Sequence, residues 1–338
     1  MTDSRVAILD HLILQKVFGP SDEYLRMVRR AFSVSISIDD GYLVIKGDSE
    51  ATSRVSLLFE QLQVYVRQYG ELAADDIQRA ISEIQQGNEI SFVKPLEVYG
   101  MRRVRPKTAG QARYVKMLRQ KEMVICTGPA GTGKTYLAVA CAVEALRSEG
   151  IRKIVLVRPA VEAGESLGFL PGDLHAKINP YLRPLFDALV EMIDRDMLRR
   201  SMEEDRIEVI PLAYMRGRTL NNAFIILDEA QNTTVAQMKM FLTRMGFGSR
   251  IAVCGDVTQI DLPSHKRSGL VDALVRLKGI DGIGTIRLSS SDIVRHSLVQ
   301  QIVNAYEQTG RVVFDHPREA SEHPDVTYGH AVSGENDT

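Results

Sequence analysis

The sequence predicts an α/β protein: a larger part built on a parallel sheet, preceded by a smaller α+β unit. Three observations carry this. Between Glu122 and Gly310, short apolar runs at 123–127, 154–157, 207–210, 224–227, 251–254 and 283–288 alternate with helical stretches. Runs this apolar are strands buried on both faces, and intervening helices imply parallel pairing. The first 70 residues show hairpin and helix signals at shorter range instead. The chain of 338 residues is long enough for about two domains.

In order, Gly19-Pro20-Ser21 offers a helix start, with Asp22 and Glu23 suited to the positive end of the helix dipole. Leu25, Val28 and Phe32 repeat at helical spacing, and Val34, Ile36 and Ile38 alternate with serines as a half-buried strand. Asp40-Gly41 signals a hairpin turn, returning through 42–46. Ala51, Val55, Leu58, Leu62 and Tyr65 form one stripe of a long helix, and a further helix spans 75–86 and stops at Gly87. The predicted organisation is an α+β domain over 1–70, a helical and basic linker over 71–121, the parallel-sheet domain over 122–310, and a disordered acidic tail over 311–338.

Lys plus Arg is 42 and Asp plus Glu is 43, so a strongly basic nucleic-acid coat is excluded and any such surface is local. No apolar run approaches the roughly 18 residues of a membrane span, and the N-terminus does not read as a secretory signal. Cys126, Cys141 and Cys254 lie far apart in apolar segments and read as buried free thiols. His175, His265 and His296 share no metal-ligand spacing with them, so no zinc site is expected. The sharpest shift is 101–121, where Arg102, Arg103, Arg105, Lys107, Arg113, Lys116, Arg119 and Lys121 occur without an acid. That stretch is either a solvated face or an electrostatic footprint for phosphates.

Gly128-Pro129-Ala130-Gly131-Thr132-Gly133-Lys134-Thr135 matches the phosphate-loop pattern G-x-x-x-x-G-K-[ST] between a strand-like and a helix-like run. Chance gives such a match in this length about once in a hundred sequences. The glycines let backbone N–H groups curl around a phosphate at a helix N-terminus. Lys134 then reaches the β- and γ-phosphates, and Thr135 offers a hydroxyl to Mg²⁺. In Phe224-Ile225-Ile226-Leu227-Asp228-Glu229-Ala230-Gln231 an apolar strand ends in two carboxylates. Asp228 can hold Mg²⁺, directly or through water, and Glu229 can polarise the attacking water. In Gly255-Asp256-Val257-Thr258-Gln259-Ile260-Asp261, Gln259 is the expected sensor of the γ-phosphate, with Asp256 second.

These motifs in this order resemble superfamily 1 helicases and related motor ATPases. Lys107-Thr108-Ala109-Gly110-Gln111 looks like their glutamine motif, which implies Gln111 near the adenine edge. Val157-Arg158-Pro159-Ala160-Val161, followed by Gly164-Glu165-Ser166-Leu167-Gly168-Phe169-Leu170-Pro171-Gly172-Asp173, is more specific. Together they resemble the PhoH-like family, bacterial ATPases associated with phosphate starvation, over residues 5–310. The resemblance implies a RecA-like P-loop core, an N-terminal KH-like domain, cytoplasmic location, ATP and Mg²⁺ as ligands, and ring-like oligomers, most simply hexamers. It also implies a connection to RNA and an rRNA-processing endoribonuclease as partner.

Two departures matter. Residues 1–70 lack the Gly-x-x-Gly loop with which KH domains clamp nucleic acid, and Gly19-Pro20-Ser21-Asp22 ends in an acid. A protein-contact or oligomerisation module fits better there. Superfamily 1 helicases also carry two RecA-like domains, and this chain has room for one. A completing arginine must come from a neighbouring subunit or be absent; Arg295 is preferred over Arg216 and Arg218. The leading reading is a Mg²⁺-dependent, helicase-like ATPase of RNA metabolism. The alternatives are a nucleotide-dependent scaffold that regulates a protein partner and, less well matched, a small-molecule kinase.

Overall fold

The computed structural model describes residues 2–88, 90, 92–100, 103–148, 150–159, 174–294, 298, 299, 301, 302 and 305. Arg102, the 160–173 segment, Arg295 and the tail lie outside the described residues. The chain divides into two compact units, Met1–Val294 and Arg295–Thr338. The first carries every element below.

The N-terminal region runs β1 (Thr2–Ala7), α1 (His11–Phe18), α2 (Glu23–Phe32), β2 (Ser35–Asp39), β3 (Tyr42–Gly47), α3 (Ser49–Tyr69) and α4 (Ala74–Gln85). Its sheet is antiparallel in the order β1-β3-β2. Asp40 (φ 45°) and Gly41 (φ 79°) make the tight turn that the Asp-Gly pair signals. Val55, Leu58, Phe59 and Leu62 of α3 pack with Leu43 and Ile45 of β3 in a core that also takes Ile77, Ala80, Ile81 and Ile84 of α4. Ile38, expected on the buried face, is 54% exposed. Its strand is at the sheet edge and the core ends at Ile36.

Between the two regions come β4 (Leu96–Glu97), β5 (Arg103–Val104) and α5 (Ala109–Gln120). Arg79 ties them to α4: it pairs with Asp76 and donates to the Pro106 carbonyl at 2.6 Å. Arg105 also reaches Asp76, and Arg103 pairs with Glu71. The expected linker is therefore packed structure, for Tyr114, Val115 and Leu118 of α5 are fully buried in the core.

The remainder continues β6 (Met123–Thr127), α6 (Lys134–Arg147), β7 (Lys153–Arg158), α7 (Leu174–Met192), α8 (Arg195–Glu203), β8 (Ile207–Pro211), β9 (Ala223–Leu227), α9 (Val235–Leu242), β10 (Arg250–Gly255), α10 (Gly269–Arg276) and β11 (Ile283–Arg287). Six strands pair in parallel in the order β11-β6-β10-β9-β7-β8, matching the six apolar runs. Alternation within each run sends side chains to opposite faces. Val124, Cys126, Leu156, Phe224 and Ile226 meet Leu137 and Val143 of α6 on one face. Ile125, Val155, Ile225 and Val253 meet Met238 and Phe241 of α9 and Leu270 of α10 on the other. A sheet covered on both sides leaves its strand C-terminal ends as the place for a ligand.

Candidate active site

Four adjacent strand ends, β6, β10, β9 and β7, carry the polar motifs. The loop after β6 leaves the sheet at Gly128, whose φ is 152° and where an added Cβ would lie 2.6 Å from the Leu288 carbonyl oxygen. Gly133 (φ 80°) then turns the chain into α6. Only glycine takes both positions without strain. Lys134 folds back over the loop: its Nζ donates to the carbonyls of Gly128 (2.6 Å) and Pro129 (2.9 Å). Thr132 Oγ1 donates to the Pro129 carbonyl, stiffening the turn.

Thr135 Oγ1 donates to Asp228 Oδ1 at 2.5 Å, bringing the two expected Mg²⁺ ligands together across the sheet. Asp228 is nearly buried, and burial pushes its carboxyl above the usual range, against the Thr135 hydrogen bond and nearby Arg158. Glu229 follows at φ 51°, a left-handed conformation uncommon outside glycine and concentrated at functional sites. Both its oxygens are engaged: Oε1 accepts from Arg158 Nη2 at 2.9 Å and Oε2 from Gln231 Nε2 at 2.6 Å. Gln231, fully buried, also accepts from the Asp256 N–H at 3.0 Å, joining the β9 end to the β10 end. Asp256 Oδ1 takes the Thr258 N–H and hydroxyl, while its buried Oδ2 has no partner among the described residues. Gln259 lines the same cavity.

That cavity holds about 480 Å³. Asp187, Glu191, Asp228, Glu229 and Asp256 line it, against the cations Lys134 and Arg158. Such a lining would repel a triphosphate unless a divalent cation came with it. The Thr135 hydroxyl, the Asp228 carboxylate and the unpartnered Asp256 oxygen are hard ligands that fit Mg²⁺. Among the described residues no group of three or more His, Cys, Asp or Glu could hold a metal ion unaided. A larger cavity of about 600 Å³ lies near the far end of α6 and includes no phosphate-loop residue.

Gln111 reaches the phosphate loop, but through its backbone. Its Nε2 donates to the Thr132 carbonyl at 3.1 Å and its Oε1 accepts from the Lys107 N–H at 2.8 Å. Reading an adenine edge would require that amide to leave these partners. Arg218 is likewise committed, donating to both oxygens of Glu208 at 2.8 Å. Two residues stand in motifs that the sequence shows but without a role assigned there: Arg158, at the end of an apolar run just as Asp228 is, and Gln231, the last residue of the Asp-Glu motif.

A family model described as "PhoH-like protein" matches residues 103–307. The chain belongs to the PhoH-like family. The "PhoH-like protein" of Bacillus subtilis (strain 168) is 47% identical over 298 residues, spanning 86% of this chain and 93% of that protein. That of Mycobacterium tuberculosis (strain ATCC 25618 / H37Rv) is 48% identical over 294 residues, 86% and 84% of the two chains. The Pif1 helicase structure from Candida albicans overlaps 60% of this PhoH-like chain and 43% of its own, with TM-score 0.33 and 16% identity. An overlap at that level says nothing of function. Family membership and the phosphate-loop geometry make this a nucleotide-binding ATPase of the PhoH-like kind. Among the described residues no helix is long and apolar enough to cross a membrane.

The Arg218–Glu208 pair gives a stability prediction. Burial raises the Glu208 carboxyl, but hydrogen bonds from Arg218 and Lys153 outweigh it and the net shift is downward. A carboxylate with a lowered folded value adds stability above its unfolded value and loses it as pH falls through the folded one. Arg218→Ala is expected to cost about 1–2 kcal/mol at neutral pH, between exposed and buried pairs. In urea titrations the gap from wild type should close below about pH 4. A gap independent of pH would show that Arg218 acts through packing.

Proposed function

We propose that this PhoH-like ATPase hydrolyses ATP with Mg²⁺ and couples turnover to single-stranded RNA as a ring of copies. The observation that best supports hydrolysis is the Thr135–Asp228 hydrogen bond, with the adjoining Glu229 lining the same cavity as the phosphate loop. Thr135 and Asp228 would hold Mg²⁺, which when bound neutralises charge on the phosphates. Lys134 leaves the Gly128 and Pro129 carbonyls for the β- and γ-phosphates. Glu229 accepts the proton of the attacking water, and Gln231 fixes the direction of its carboxylate. Gln259 reports the γ-phosphate to the segment after β10. Gln111 would define the loop's adenine side. One such core leaves one flank of the nucleotide open. Repetition of a head-to-tail contact would bring Arg295 of the next copy to it and close a ring, a hexamer by family resemblance.

The RNA footprint is narrower than eight basic residues suggest. Arg103 pairs with Glu71, Arg105 with Glu71 and Asp76, Arg119 with Glu144, and Lys121 with Asp281. Lys107, Arg113 and Lys116 are exposed and make no ion pair among the described residues. Arg113 and Lys116 adjoin on one helix face. Lys107, Arg113 and Arg287 line a polar cavity of about 380 Å³. Replacing Lys107, Arg113 and Lys116 together by Gln should flatten the log–log salt dependence of RNA affinity by about 2, at roughly 0.7 per phosphate contact. An unchanged slope would assign this face to something other than RNA.

The internal pairing of four basic residues favours a second reading, a nucleotide-dependent scaffold for a protein partner such as an endoribonuclease. The deciding experiment measures phosphate release with and without a single-stranded RNA oligomer, with the particle mass determined alongside. Stimulation in a multimer supports the RNA-coupled ATPase. An unstimulated rate supports the scaffold.

A further inference from the structure

We propose that Arg158 is a catalytic residue supplied in cis, the guanidinium passing from Glu229 to the γ-phosphate when ATP binds. This rests on the ATPase reading above. Arg158 ends β7, which pairs directly with β9, so Val157 lies beside Leu227 and its carbonyl accepts from the Asp228 N–H at 2.9 Å. The following Pro159 restricts Arg158 to extended backbone, which fixes where its side chain departs. The guanidinium is held three ways: Nη2 on Glu229 Oε1 at 2.9 Å, Nη1 on the Tyr181 carbonyl at 2.6 Å, and Nε at 3.7 Å from Asp228 Oδ2.

Two features point to a transfer. First, Arg158 and Lys134 are the cations among the described residues that line the cavity. In this arrangement both are satisfied by the protein itself, Lys134 by loop carbonyls and Arg158 by the base. A γ-phosphate carries more charge than one carboxylate and offers three oxygens, so it competes for a planar fork that binds phosphate bidentately. Second, Arg158 Nη2 occupies Glu229 Oε1 and Gln231 Nε2 occupies Oε2, so an attacking water must compete with Arg158 for a place on this carboxylate. One movement answers both: it frees Oε1 for the water and brings positive charge to the transferred group.

The step balances without a co-reactant. The water oxygen attacks the γ-phosphorus as the bond from that phosphorus to the β,γ-bridging oxygen breaks. The bond's electron pair stays on that oxygen, which leaves with ADP. The water's proton goes to Glu229 and then to the released phosphate or solvent. Arg158 remains protonated throughout, its charge countering that of the three equatorial oxygens. Tyr181 keeps the guanidinium near the strand end during the exchange. This arginine belongs to the same chain as the phosphate loop, so it operates in each subunit whatever a neighbour contributes.

The test compares Arg158→Ala and Arg158→Lys with wild type in three assays: steady-state phosphate release, binding of ADP, and binding of ADP with aluminium fluoride as the γ-phosphate mimic. The expected alanine result is ADP affinity within about 2-fold of wild type, binding of the fluoride complex at least 10-fold weaker, and kcat lower by about 10²–10³, with KM changed far less. Lysine should recover only part, having charge without the fork. A merely structural arginine would instead weaken ADP and the fluoride complex equally, which overturns the proposal. So does a kcat within about 3-fold of wild type. If the alanine variant fails to fold, Arg158→Gln, which keeps a polar donor without the charge, is read by the same criteria. Wild-type protein that releases no phosphate would bring down the ATPase reading and this proposal together. Active wild type with an equally active variant removes this proposal alone.

Discussion

Glu229→Gln is expected to bind ATP about as tightly as wild type and to release phosphate about 10²–10⁴-fold more slowly. The substitution keeps the shape of the side chain and removes the group that accepts a proton. Nothing that grips the nucleotide changes: Lys134, Thr135 and Asp228 keep their places at the loop. The amide inherits the two contacts of the carboxylate imperfectly. Arg158 Nη2 and Gln231 Nε2 are both donors, and an amide offers one accepting end to two of them. One contact is therefore lost, a cost of about 1–2 kcal/mol that the strand end can absorb. Nucleotide titration and a single-turnover assay on the same preparation separate the two effects. A variant with near-wild-type turnover would reduce Glu229 to a partner of Arg158.

Lys134→Ala should leave the fold intact and lower ATP affinity by at least about 100-fold, the effect of losing a charge-assisted contact to phosphate in a cleft. The Lys134 ammonium lies over two backbone carbonyls of its own loop. Its removal lets water reach Gly128 and Pro129 without altering the glycine-dictated path of the chain. Thermal denaturation without nucleotide should match wild type, while the shift that ATP produces should vanish. An unchanged affinity in calorimetry would overturn the phosphate-loop assignment.

The parallel sheet was legible because strands covered on both faces are written as unbroken apolar runs, and 224–227 or 251–254 can be little else. β1 was not, since of Thr2–Ala7 only Val6 is buried. Pairing with β3 makes it a strand, and no local pattern announces that. α1 was missed too, though Asp10 caps it by accepting from the Leu12 N–H. The site motifs were readable for the opposite reason: phosphate binding demands glycine, lysine and hydroxyl at fixed spacing. The roles that the motifs do not disclose depend on strand order. Arg158 meets Glu229 because β7 lies beside β9, and Gln231 meets Asp256 because β10 lies between β6 and β9. The ion pairs of the basic stretch depend on the fold in the same way, for Arg119 finds Glu144, 25 residues away in sequence, and Arg105 finds Asp76, 29 away.

The same dependence on strand order explains why the acidic cavity lining became visible only in the fold. Five carboxylates drawn from α7, β9 and β10 ends gather around Lys134 and Arg158. Without a divalent cation that lining would oppose a polyphosphate. The most direct measurement is therefore phosphate release from ATP by the wild-type protein, alone and without any second substrate, in Mg²⁺ and in excess EDTA. The account predicts steady release in Mg²⁺ that stops in EDTA. No release in Mg²⁺, or release that EDTA leaves unchanged, would contradict it.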